Sequence, residues 1–239
     1  MKNEEAKKFV ETYQAYYFII SAEKKKEGKE NLGISIAHPT EKEYEDEIVK
    51  LLNNGEHNIQ TIAWKMGGSV SEEGIKTQYH KYSSEVLNHF CKAVNSKKIA
   101  IVKNDYPHED DLRSSYDDLL EIAHNCGLDG YGSVYLISSM FFLSKGNVPI
   151  YDYYANVAVK ALLQNKCPQD VYVGQAPGKE YHAKENSKKK LAVNMLIEYQ
   201  DSLARLFSGT DYYKNKGFIS RELDRALWVY GHATKRFEG

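Results

Sequence analysis

Apolar side chains recur every three or four residues along most of this 239-residue chain, which is the period of an amphipathic helix. The pattern covers residues 3–23, predicts a helix over about 72–96, and continues almost to the end from about residue 113. Closing helices are predicted over about 187–207 and 219–236. The sequence therefore predicts an all-α fold, with at most a short strand near residues 98–103, where β-branched residues lie between lysines.

The chain is long enough to form one sizeable core, and we expect a single helical domain over residues 1–239. Residues 1–40 would form an N-terminal helix and linker. Residues 165–188 would form an irregular loop, because prolines and glycines interrupt a polar stretch there.

The charge balance argues against a dedicated nucleic-acid binder. The net charge is −1, whereas such proteins are often strongly basic because their cations neutralise phosphates. No run reaches the roughly 20 apolar residues that span a bilayer, and the charged N-terminus lacks the apolar segment of a signal peptide. Cys91, Cys126 and Cys167 are too far apart in sequence for a disulfide framework or a metal site. We therefore expect a cytoplasmic protein without membrane contact, metal or cofactor.

Three glycines within a short stretch, Gly127, Gly130 and Gly132, interrupt the helical pattern inside residues 113–163. Glycine permits positive φ angles and a close approach of another molecule to the backbone. A helix is predicted to begin near Ser133, and the N–H groups and dipole at a helix start favour an anion. Such a helix-hairpin-helix segment would hold a phosphate through backbone amides, without a basic side chain.

Asp152 follows an extended stretch and precedes another predicted helix. In its structural role it would be the N-cap of that helix, since aspartate is among the preferred capping residues. In its functional role the carboxylate would face a pocket, where it would stabilise a developing sugar cation or orient a water. The residues alone leave both roles open, with capping the more common one.

The stretch from Gly130 to Asp152 resembles the core of helix-hairpin-helix DNA glycosylases, and most closely bacterial proteins described as 8-oxoguanine DNA glycosylase-like. Residues 61–67 and 219–232 resemble the same family, so the resemblance spans about 60–232. It implies an all-helical fold, with DNA as the partner. It also implies a hairpin that grips the DNA backbone, built here from Gly127, Gly130, Gly132 and Ser133. The catalytic aspartate of the base-excision pocket is matched here by Asp152.

One part of the family pattern is missing. Bifunctional members carry a lysine in or just after the hairpin, which forms a Schiff base with the sugar. This chain has Val134 and Tyr135 there, and the nearest lysine, Lys145, comes at the far end of the following helix. The departure argues against lyase chemistry. It leaves either hydrolysis by Asp152 and a water, or an inactive fold kept for binding.

Other side chains would complete a DNA site. Aromatic residues close in sequence to the hairpin and to Asp152 would wall a pocket for an extruded base: Tyr131, Tyr135, Tyr151 and Tyr153. Basic residues in the other matching pieces are candidates for phosphate contact: Arg221, Arg225 and Lys65. For the two arginines, ion pairs at the helix surface or between helices are the alternative.

Three functional hypotheses follow from the sequence. The first is a DNA-binding protein that hydrolyses the N-glycosidic bond of a damaged or modified base. The second is a catalytically inactive glycosylase-like module, acting through DNA or a protein partner in bacterial stress or phage defence. The third is a helical scaffold in which Asp152 only caps a helix and the glycines only form turns. The sequence does not determine the oligomeric state.

Overall fold

The computed structural model describes residues 1–17, 59, 62, 68–71, 74–77, 84–97, 99, 101, 107–128, 133–173, 186–214 and 218–236. Of residues 68–71, 74–77, 133–134, 186–191, 214, 218 and 233–236, only the backbone is described. These ranges are predominantly helical, which confirms the predicted fold class. No helix within them combines the length and apolar character needed to cross a membrane.

The α-helices in the described ranges are α1 (Asn3–Tyr13), α2 (Ser84–Ser96), α3 (Glu109–Asn125), α4 (Ser133–Leu143), α5 (Tyr153–Gln164), α6 (Asn186–Phe207) and α7 (Arg221–Arg236). Short 3-10 helices lie at Gln14–Tyr16 and Pro168–Asp170. Two antiparallel hairpins pair β1 (Gly68–Ser71) with β2 (Gly74–Thr77), and β3 (Tyr213–Lys214) with β4 (Phe218–Ile219).

The first hairpin replaces the beginning of a predicted helix. Its register pairs Val70 with Ile75 and Ser71 with Gly74, so Ile75 belongs to a strand. The helix predicted over about 72–96 is therefore wrong in its first part, and α2 begins only at Ser84. Over so few apolar residues the helical and strand periods are hard to separate.

The strand predicted near residues 98–103 is not found at its two described positions. Ile99 is irregular and Ile101 has helical backbone. Both side chains are buried, and the Ile101 N–H donates to Ser115 Oγ at 3.0 Å. Burial in a core therefore accounts for these β-branched residues without strand pairing.

Backbone contacts divide the chain into two compact units, whereas the sequence analysis expects one domain. The first unit contains Met1–Glu47, Tyr151–Gly174 and Tyr199–Gly239, and the second contains Ile48–Ile150 and Gln175–Glu198. The boundary between Ile150 and Tyr151 cuts through the predicted 113–163 core. Gly127 and Ser133 thus belong to the second unit and Asp152 belongs to the first.

The first unit is built on the packing of α5 against α7. Small side chains line the buried part of α5, where Ala155, Ala158 and Ala161 are all fully buried. At Gly231 of α7 an added Cβ would lie 1.9 Å from the carbonyl oxygen of Tyr154. The two helices therefore approach backbone to backbone, and only glycine fits at the crossing.

Polar contacts attach α1 to the segment that follows α6. The N-terminal amine of Met1 donates to the Leu206 carbonyl at 2.9 Å. Asn3 Nδ2 donates to the Asp211 carboxylate at 2.6 Å, and the Asp211 N–H donates back to Asn3 Oδ1 at 3.0 Å. On its apolar side, Phe9 packs edge-on against Tyr230, with the ring centroids 5.4 Å apart. These contacts hold α1 against the end of α6 and against α7.

The second unit has a more apolar interior. On α4, every residue from Leu136 to Leu143 is buried, as is typical of a helix that is apolar on all sides. On α3, apolar residues at helical spacing are buried: Leu112, Tyr116, Leu119, Leu120 and Ala123. Lys97 joins the end of α2 to α3 through Asp118 at 3.0 Å and Glu121 at 3.1 Å. Burial raises the pKa of the Cys91 thiol to about 12, with a further contribution from Cys126.

Replacing Gly231 by alanine is expected to lower the free energy of unfolding by at least about 1–3 kcal/mol. The clash is with backbone, so no side-chain rotation relieves it. Denaturant unfolding measures the loss. Gly209→Ala is the matched control, because nothing lies within 4 Å of a Cβ at Gly209. Equal stabilities of the two variants would contradict the close crossing of α5 and α7.

Candidate functional site around Asp152

Asp152 is the N-cap of α5. Its backbone is extended, with φ −135° and ψ 143°, and its Oδ1 accepts from the Tyr154 N–H at 2.9 Å. Aspartate suits this position because its short side chain reaches an otherwise unpaired amide of the first turn. The structural role predicted for Asp152 is therefore confirmed. The side chain is only half-buried, so the cap does not seal the carboxylate inside the protein.

Polar side chains that the sequence analysis did not select lie beside this cap. Asn156, one turn further along α5, donates from Nδ2 to Tyr151 Oη at 3.1 Å. The ring of Tyr199 meets the ring of Tyr151 edge-on, with the centroids 5.6 Å apart. Tyr151 and Tyr199 are fully buried, and Asn156 is 5% exposed. The signal in the sequence was an amide side chain inside an otherwise apolar helical face.

The described tyrosines among those predicted to wall a base pocket belong to different units. Tyr151 packs in the core of the first unit instead of lining an open pocket. Tyr153 is half-buried against the cluster of Val157, Val171 and its neighbours. Tyr135 is half-buried in the second unit. Tyr131 lies outside the described residues.

Gly127 closes α3, and its amide is used for that purpose. Its φ is +76°, its N–H donates to the His124 carbonyl at 3.0 Å, and the Leu128 N–H donates to the Ala123 carbonyl at 2.8 Å. This pair of bonds, with a left-handed residue between helix and loop, is the Schellman motif. The Gly127 amide is therefore used inside the protein, which argues against its predicted contact with DNA phosphate. The positive φ was predicted for the right residue, but helix termination explains it.

The remaining hairpin residues are described only in part. Ser133 is the first residue of α4, as predicted, with its backbone alone described. Gly130 and Gly132 lie outside the described residues, and so does Lys65. Lys145 follows the C-terminal end of α4, opposite to Ser133. It is exposed and has a φ of +52°. This position agrees with the prediction that Lys145 stands at the far end of the helix.

Part of the predicted irregular loop at 165–188 has a defined structure. Asn165, with φ +51°, ends α5 in the same way that Gly127 ends α3. After the 3-10 helix, Val171 and Val173 are buried against α5, while Tyr172 between them is 89% exposed. Residues 174–185 lie outside the described ranges, and α6 begins at Asn186.

Arg221 is buried at the start of α7 and pairs with Asp224. It also donates to Tyr17 Oη at 3.2 Å and lies over the Tyr17 ring at 5.4 Å. The structure therefore favours the ion-pair alternative for Arg221 over phosphate contact. Arg225 on the same helix is half-buried.

His232 is buried in the first unit. It stacks on the ring of Tyr154, with the centroids 4.1 Å apart and an interplanar angle of 4°. No group of three or more potential metal ligands occurs among the residues that the structure describes.

Comparison of the chain with protein-family models, with curated proteins and with solved structures finds no match. The resemblance to helix-hairpin-helix DNA glycosylases therefore stays a prediction from sequence motifs.

Substitutions at Asp152 separate its capping role from any role of its charge. Asp152→Ala is expected to lower the free energy of unfolding by about 0.5–2 kcal/mol, because the Tyr154 N–H loses its acceptor. Asp152→Asn retains an equivalent cap and should cost much less. Thermal unfolding of both variants tests this, and an Asp152→Ala variant as stable as the parent would refute the cap.

Proposed function

We propose that this protein binds DNA and hydrolyses the N-glycosidic bond of a damaged or modified base, with Asp152 as the catalytic carboxylate. The observation that carries the proposal is a half-buried carboxylate whose direction is fixed by the Tyr154 N–H. A carboxylate held in place stabilises the positive charge that develops on the sugar as the bond breaks. The water that completes hydrolysis would be oriented by the same group.

An exposed aromatic side chain in the same unit supports contact with DNA. Tyr172 stands between two buried valines, so its backbone is anchored while its ring faces solvent. Bases stack on such rings with little regard to sequence. Tyr172 therefore replaces buried Tyr151 as a candidate for contact with a base. The three free cysteines suit the cytoplasmic setting of this proposal.

A second candidate is a catalytically inactive module in bacterial stress or phage defence, which binds DNA or a protein without cleaving it. Two observations favour it. Arg221 forms an ion pair with Asp224, and the Gly127 N–H is hydrogen-bonded at the end of α3. Two of the predicted phosphate contacts therefore serve the fold. Asp152 has a sufficient structural reason for its presence in the cap.

The enzymatic proposal is tested by incubating the protein with duplexes that carry oxidised, alkylated or hypermodified bases. We expect an abasic product from at least one duplex, and a rate roughly 100- to 10,000-fold lower for Asp152→Asn. That variant keeps a capping side chain, so loss of fold would not explain the result. Asp170→Asn, at an exposed carboxylate in the same unit, should leave the rate unchanged.

No product from any duplex would leave the second candidate. Product formed at equal rates by Asp152→Asn and the parent would show that Asp152 is not the catalytic carboxylate.

DNA binding is tested separately by gel shift across a salt series. Affinity should fall steeply as salt rises, because phosphate contacts release counterions. Tyr172→Ala should weaken binding by roughly 5- to 150-fold, the loss expected for one stacked base. Tyr16→Ala is the control, since Tyr16 is also exposed, at 54%. Equal effects of the two substitutions would remove Tyr172 from the interface, and no shift at low salt would indicate a protein-binding module.

A further inference from the structure

Three buried polar side chains form a cluster beside Asp152 in the first unit. The cluster consists of Tyr151, Asn156 and Tyr199, which are joined by the Asn156–Tyr151 hydrogen bond and by the edge-on contact of the two rings. Tyr151 and Asn156 flank Asp152 in sequence, before and within α5. Tyr199 comes from α6. The cluster therefore brings a second helix to the N-terminus of α5.

Two atoms of this cluster lack a hydrogen-bond partner among the described residues. They are the hydroxyl oxygen of Tyr199 and Oδ1 of Asn156. Their residues are 0% and 5% exposed, so bulk solvent does not reach them. Buried polar groups are nearly always hydrogen-bonded, because an unpaired one keeps the full cost of leaving water. Two such atoms in one cluster therefore indicate a shared partner.

The charge of the Asp152 carboxylate affects the Tyr199 phenol. Burial raises the pKa of the Tyr199 phenol, and the negative charge of Asp152 and the neighbouring Tyr151 raise this pKa further. The phenol therefore keeps its proton and is a donor at neutral pH. One oxygen of Asp152 accepts from the Tyr154 N–H, and a carboxylate has acceptor sites for several more donors.

We propose that the cluster holds one ordered water molecule that links Tyr199 to Asp152. The water accepts a hydrogen bond from the Tyr199 hydroxyl and donates hydrogen bonds to the Asp152 carboxylate and to Asn156 Oδ1. This gives it about three hydrogen bonds, the usual number for a buried water. Tyr199 is then a positioning residue, which fixes the direction of the carboxylate from the interior. Its relevance to catalysis rests on the proposed function, but the water link does not.

The sign of one stability change tests the link. Tyr199→Phe removes only the hydroxyl, and we expect it to lower the melting temperature by roughly 2–4 °C because the water loses a donor. If the hydroxyl is unpartnered, its removal relieves an unfavourable burial and the melting temperature stays equal or rises. That result would overturn the proposal.

A double-mutant cycle tests whether the link reaches Asp152. Asp152→Ser keeps a capping side chain but is too short to hold the water. In the Asp152→Ser background, the loss of melting temperature caused by Tyr199→Phe should be less than half of the loss in the parent. Asp201→Asn is the control, since Asp201 is exposed on the same helix as Tyr199 and should leave the cost unchanged. An undiminished cost in the Asp152→Ser background would disprove the link.

A crystal structure of the parent protein should show a water within hydrogen-bond distance of Tyr199 Oη, and the Tyr199→Phe variant should lack it. On a duplex that is cleaved, Tyr199→Phe should lower kcat and leave KM nearly unchanged, as expected when a group acts on the carboxylate and not on DNA. A positive cycle without cleavage of any duplex would refute the proposed function alone. Cleavage with an additive cycle would refute the water link alone.

Discussion

The contact between α5 and α7 determines the architecture of the first unit. Gly231 lies against the backbone of Tyr154, so the two helices meet at a distance that no other residue allows. The fully buried alanines of α5 extend the contact along the helix. Close packing of this kind gains many weak dispersion contacts and tolerates almost no added volume. Since Tyr154 also provides the N–H that holds Asp152, the crossing fixes the position of the candidate site.

Aromatic side chains on α7 contact other segments of the first unit. Trp228 meets Tyr17 edge-on at 5.3 Å, and His232 stacks on Tyr154. Arg221 adds a hydrogen bond to Tyr17 and a buried pair with Asp224. A buried guanidinium is tolerated only with such partners. Arg221, a predicted candidate for phosphate contact, thus holds Tyr17 and the chain after α1 against α7.

Part of the glycine-rich stretch, predicted as a phosphate-binding turn, is a helix C-terminus. A phosphate-binding turn and a helix C-terminus both require a positive φ, so the sequence cannot distinguish them at a single glycine. At Gly127 the amide bonds decide for the helix end. The same closure occurs at Lys145, directly before Gly146, and at Asn165, where no glycine follows. The property that matters is the conformation of the residue, and glycine is only one way to reach it.

The apolar period determined the helical fold class and the helices α3 to α7, and residue type and position indicated the capping role of Asp152. These features depend on neighbours within a few residues along the chain. The apolar period did not predict the hairpin of β1 and β2, because two short strands carry too few apolar residues to establish a period. Tertiary structure alone decided that Arg221 and Tyr151 are buried and that Tyr172 is exposed. It also brought Tyr199 against Tyr151, the sequence neighbour of Asp152. These outcomes depend on contacts between segments distant in sequence, which no local pattern encodes.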